Sequence, residues 1–175
     1  MDGNATTTHR NVALLSVATT MATRVTTSEE IDRRLAPALK RLKLPTGLLQ
    51  RVAGVHERRN WGEGQTFDDA AIEAGKKALA EAGIRPDQVG LLINTSVTRK
   101  HLEPSVAVRI HHGLGLPSSA TNFDIANACL GFVNGMALAG QLIDAGQIDY
   151  AVIIDGEDAD EIQVNTIERL GLSLI

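Results

Sequence analysis

The chain has a single cysteine, Cys129, and its aromatic residues amount to one Trp, one Tyr and three Phe in 175 residues. A lone cysteine forms no internal disulfide and no cysteine-rich metal site, and it fits a reducing compartment such as the cytoplasm. So few aromatic rings leave no stacking platform for bases, and the core must be built from Ala, Val, Leu and Ile. There is no Lys/Arg block, and the formal net charge is −4. That balance argues against a nucleic-acid partner, which needs clustered positive charge. No apolar run reaches the roughly 18 to 20 residues of a spanning helix. The opening "MDGNATTTHRN" is polar, without the apolar stretch of a signal peptide. No Gly-x-Gly-x-x-Gly or Walker sequence follows a strand pattern, which weakens a nucleotide-binding reading. The expectation is a cytoplasmic protein with no membrane span, no cofactor and no metal.

The remaining pattern is regular. "NVALLSVATT" (11–20) reads as a strand, and "TTSEEIDRRLAPALKRLKL" as a helix in which Thr27 and Glu30 have capping-box spacing. Pro37 should kink or split that helix. "TFDDAAIEAGKKALAEAG" reads as a second helix, with acids near its positive end and Gly83 at its close. "GLLINTSV", "ATNFDIAN" and "DYAVIIDGE" read as strands, separated by the helical patterns "SVAVRIHHGLGL" and "ACLGFVNGMALAGQLIDAG". Apolar strands alternating with helices predict an α/β fold with a mostly parallel five-stranded sheet covered on both faces. Residues 1–10 are expected to form a disordered tail, 11–170 one domain, and 171–175 an atypical tail. The acidic run Glu157, Asp158, Asp160 and Glu161 reads as a solvated helix start rather than a metal site.

Cys129 falls at a strand-to-helix junction. Unpaired N–H groups and the helix dipole there favour a thiolate, the reactive form of cysteine, and could also hold a developing oxyanion. Against this stands the ordinary behaviour of a free cysteine among apolar neighbours, which is to be buried filler. Gly131, Gly135 and Ala139 share one face of the following helix, and the other positions are also largely apolar. Such a helix should be buried, with its small-residue face close against another backbone.

"DIANACLGF" resembles the nucleophile segment of the thiolase superfamily, in particular the 3-oxoacyl-ACP synthase III-like condensing enzymes. "VAGVHERRNW", "DAAIEAGKKALAEAGI", "GLLINTSV", "HLEPSVAVRIHHGLGL" and "IDYAVIIDGE" resemble other segments of that family in the same order. The resemblance implies that Cys129 takes an acyl group from a thioester. "NTSVTRKHLEPS", with Glu103 before the proline, and "NACL", with Leu130 after the cysteine, resemble the bacterial olefin-biosynthesis branch. That branch joins two long-chain acyl-CoA molecules without decarboxylation, and a glutamate of this segment is thought to act as base across the dimer. The role would fall on Glu103. An apolar channel would raise its pKa enough for the task. Arg58 and Arg59 are candidates for the CoA phosphates, and Trp61 for stacking on adenine.

The family's catalytic His and Asn belong to a second half that has no match in this sequence. The expected partners are therefore acyl-CoA or acyl-ACP as substrate, and either a second copy of the chain or the other thiolase half. The alternatives are a decarboxylative condensation with malonyl-ACP, and a non-catalytic interaction subunit or truncated remnant.

Overall fold

The computed structural model describes residues 7–172; of Leu49, Gly171 and Leu172 only the backbone is described. Within that range the chain forms two compact units. One takes the chain through Thr20 together with Phe67–Glu157, and the other takes Met21–Thr66 and the residues from Asp158 on.

The second unit contains β1 (Arg24–Thr27), α1 (Ser28–Arg41), α2 (Leu48–Ala53), β2 (Glu57–Asn60) and α6 (Asp160–Leu172). β1 and β2 pair antiparallel, with Arg24 opposite Asn60 and Thr27 opposite Glu57. The Thr27 hydroxyl accepts from the Glu30 N–H at 3.1 Å, so α1 begins at the predicted cap. Pro37 lies inside α1 without splitting it. The acidic run is less solvated than expected, because Asp160 receives a 3.0 Å hydrogen bond from the Asn60 amide and pairs with Arg24.

The first unit contains α3 (Phe67–Ala82), β3 (Val89–Asn94), α4 (Val106–Leu114), β4 (Thr121–Asp124), α5 (Gly131–Asp144) and β5 (Tyr150–Ile154). β3 is central, with β4 on one side and β5 on the other, all parallel. The expected five-stranded sheet is therefore a parallel sheet of three strands, with a separate antiparallel pair in the other unit. The apolar stretch 11–20 accounts for one of the two strands by which the expectation differs. It has strand-like composition, but among the described residues it joins no ladder. Composition sets a preference, and pairing needs an edge within reach.

Alternation along the strands sorts the core. Leu91 and Ile93, in register with Ala151 and Ile153, pack with Ala139, Leu138 and Leu142 of α5. The opposite face meets α3 and α4, where a Cβ on Gly75 would stand 2.8 Å from Ile154 Cδ1 and 3.0 Å from Leu114 Cδ2. Both faces of this sheet are covered, and Leu92 and Ile93 are fully buried. Gly83, at φ +69°, ends α3 with Ile84 N–H donating to Leu79 O. Among the described residues no helix is long and apolar enough to cross a membrane.

The polar start is held from His9 onward. Asp144, at the end of α5, accepts from Arg10 N at 3.0 Å and Asn11 N at 2.7 Å, and lies 3.3 Å from His9 Nδ1. Residues 1–6 and 173–175, the outer parts of the two predicted tails, lie outside the described residues.

Candidate active site

Parallel strands bring their C-terminal ends to one edge of the sheet, and here the loops after β3, β4 and β5 meet through a chain of polar groups. Gly156 N–H donates to Ser96 Oγ at 2.9 Å, and Ser96 Oγ donates to Asn94 Oδ1 at 2.7 Å. Asn94 Nδ2 then donates to Asp124 Oδ1 at 3.0 Å. Asn94 and Ser96 are almost wholly buried, so their polar atoms need these partners. Asp124 also accepts from Val106 N at 3.1 Å and Ala107 N at 2.9 Å, which satisfies orphan donors at the start of α4 and sets a carboxylate against its positive end. Glu157 accepts from Val97 N at 2.6 Å and Thr98 N at 3.0 Å, fixing the start of the loop after β3. Buried Asp68 of α3 binds Lys100 at 3.2 Å and also pairs with Arg109 of α4, tying the same loop farther along. The Asp155 carboxyl sits above the usual carboxylate range, chiefly through desolvation and then through the nearby Glu157 charge, with the Thr95 hydrogen bond opposing both.

Cys129 lies in a single 3-10 turn, Ala128–Leu130, between β4 and α5. Ala128 before it has φ +44°, a left-handed conformation that costs an L-residue about 1 to 2 kcal/mol. Leu130 N–H closes the turn on Asn127 O at 3.0 Å, and the Asn127 amide reaches Asn134 of α5 at 2.6 Å. Cys129 is solvent-exposed among the described residues. The N-cap residue of α5, Leu130, makes no side-chain cap hydrogen bond.

The glycine face of α5 packs as its spacing predicts. A Cβ on Gly131 would stand 3.2 Å from both Ile125 O and Thr95 O, and one on Gly135 would stand 3.2 Å from Ile153 Cγ2. The helix is not buried all round, however. Val133 is 59% exposed, and Phe132 and Met136 are also open. The expectation of a buried nucleophile helix is corrected accordingly: one face meets the sheet, and no described element covers the other.

Glu103 lies in the loop between β3 and α4, two residues before the N-cap Ser105, and is exposed. Described residues of this chain do not supply the apolar surroundings expected for a base. Cys129 and Glu103 thus follow the ends of neighbouring strands at one edge of the sheet. Arg58, Arg59 and Trp61 belong to the other unit. There Arg58 donates to Ser28 Oγ at 2.9 Å, and Arg59 reaches Ala22 O at 3.4 Å and Glu57 at 3.2 Å. Part of their donor capacity is therefore used within that unit. Among the described residues no group of His, Cys, Asp and Glu is arranged to hold a metal ion.

Sequence reasoning did not single out the Asn94–Ser96–Asp124 chain. Its signal was nevertheless present in "LLINTS" and "NFDIAN", where apolar strands end abruptly in polar residues.

Residues 58–166 match the family model described as thiolase, N-terminal domain. The acyl-CoA:acyl-CoA alkyltransferase of Xanthomonas campestris is 44% identical over 161 residues, covering 92% of this chain and 48% of the relative. The beta-ketoacyl-[acyl-carrier-protein] synthase III of Actinobacillus succinogenes is 31% identical over 159 residues, covering 91% and 48%. A crystal structure of a Xanthomonas campestris OleA variant with bound lauric acid and lauroyl-CoA superposes with a TM-score of 0.90 at 42% identity, covering 96% of this chain and 50% of that one. The chain spans about half the length of the curated relatives it matches.

Proposed function

Because the chain belongs to the thiolase family, through the N-terminal domain that residues 58–166 match, we propose that it provides the nucleophile of a condensing acyltransferase acting on long-chain acyl-CoA. The observation that carries this reading is the exposed Cys129, set on a constrained turn directly before the start of α5. The Cys129 thiolate attacks the carbonyl carbon of the first acyl-CoA, the bond to the CoA sulfur breaks, and CoA leaves to be reprotonated. The N–H groups at the helix start stabilise the oxyanion formed on the way. A base then removes an α-proton from a second acyl-CoA, and the carbanion attacks the Cys129 thioester. The products are a 3-oxoacyl-CoA and the free thiol.

Glu103 is the proposed base, presented to the site of a second subunit. Its exposure in the free chain accords with a residue that acquires apolar surroundings only on assembly. Arg58, Arg59 and Trp61 are proposed CoA contacts. Two relatives support different second substrates. The similarity to the alkyltransferase favours a second acyl-CoA, while the similarity to the synthase III leaves malonyl-ACP as the alternative carbanion source.

The test is release of free CoA from lauroyl-CoA, measured by chromatography of the small molecules after the protein is removed. The account predicts a burst of no more than one CoA per chain, lost in Cys129→Ala. An equal burst from Cys129→Ala would contradict it.

A further inference from the structure

The loop between β3 and α4 is tied residue by residue at both ends. Val97 N and Thr98 N donate to Glu157, Arg99 lies 4.0 Å from Asp124, and Lys100 Nζ lies 3.2 Å from Asp68 Oδ1. On the far side Val106 N and Ala107 N donate to Asp124. Among the described residues no hydrogen bond or ion pair holds residues 101–104. Glu103 thus stands midway between the last tie before it, Lys100, and the first after it, Val106.

Lys100 has a firm anchor. Its ammonium lies 5.6 Å from the centroid of the Phe67 ring as well as against Asp68. Phe67 and Asp68 open α3 and are only 2% and 3% exposed, so the anchor is fixed in the body of the unit. The Lys100 side chain is itself half-exposed, and a pair of that kind adds little to stability. Asp68 moreover has Arg109 of α4 as a second cation. The contact instead sets where the Glu103 segment begins. A chain spans at most about 3.5 Å per residue, so Glu103 stays within about 10 Å of a pinned Lys100, against about 17 Å of Thr98.

Resting on the assignment of Glu103 as the base, we propose that Lys100 is a positioning residue for it. Held by Asp68 and the Phe67 ring, Lys100 confines the loop so that the Glu103 carboxylate is presented at one place. A base must come within hydrogen-bond reach of the proton it removes, so a looser loop reaches that geometry less often.

Backbone amide relaxation by NMR and exchange of lauroyl-CoA α-protons into heavy water are compared in the wild type, Lys100→Met, Glu103→Gln and the double variant. Methionine keeps the apolar stem and removes the charge. In Lys100→Met the order parameters at residues 101–103 should fall below the wild-type values, to under about 0.6, with those of β3 unchanged. Its α-proton exchange should slow about tenfold, whereas adding Lys100→Met to Glu103→Gln should change the rate less than about twofold. An equal slowing in the Glu103→Gln background would overturn the proposal, because Lys100 would then act on the reaction without Glu103. Order parameters at 101–103 equal to those of the wild type would also overturn it. If Glu103→Gln leaves α-proton exchange untouched, the assignment of the base fails, and the order parameters alone decide whether Lys100 positions the loop.

Discussion

A cysteine and a carboxylate carry the proposed chemistry, and each was legible from the sequence to a different degree. Cys129 was legible because a strand pattern and a helical pattern abut on either side of it. Its exposure was not, since that depends on which elements cover α5. Glu103 was visible only through the resemblance, for a glutamate in a polar loop carries no signal of its own. If Glu103 is the base, Glu103→Gln leaves formation of the acyl-cysteine unchanged. The same variant slows exchange of α-protons of bound acyl-CoA into heavy water by about 10² to 10⁴. Mass spectrometry of recovered acyl-CoA reads this directly, and unchanged exchange would remove Glu103 from the role. Asp144 offers a pH test. Hydrogen bonds from Asn11 foremost, then Arg10 and His9, hold its carboxyl below the ordinary 3.8. A carboxyl with a depressed folded pKa stabilises above its unfolded pKa, and that contribution is lost as pH falls through the folded value. The Arg10 and Asn11 amides should therefore remain protected at neutral pH and lose that protection only as the pH falls through the lowered folded value, below the ordinary 3.8. Asp144→Asn should bring that exchange to neutral pH.

Helices and strands were read correctly where periodicity, caps and glycines agree, as in α3 with Gly83 and α1 with Thr27. The small-residue face of α5 was also legible, because three small residues at i, i+4 and i+8 leave room for a close neighbour. The hydrogen-bonded chain at the strand ends was not, because its members are far apart in sequence. Asp124→Ala would leave the fully buried Asn94 amide without its acceptor and α4 without its cap. The expected loss is about 2 to 3 kcal/mol in urea unfolding. Gly156→Ala tests the backbone contact beside that chain. Its Cβ would stand 2.7 Å from Phe67 O, and the overpacking should cost about 1 to 3 kcal/mol. A variant as stable as wild type would show that the loop after β5 is free to shift.

The α/β class followed from alternation of apolar strands with helices, and the neighbours in space confirm it. The arrangement of strands did not follow. The stretch 11–20 looks like β3 in composition, yet side-chain preference says nothing about which edge lies within reach. The partition into two units was hidden as well, since each is built from separated stretches of chain and no linker marks the boundary. The central claim is that this chain activates its own cysteine toward an acyl thioester. The intact mass of the chain after incubation with lauroyl-CoA, with Cys129→Ala in parallel, tests it most directly. The account predicts a gain of one lauroyl group on the wild type and none on the variant. An unmodified wild type that retains its native amide protection would contradict it.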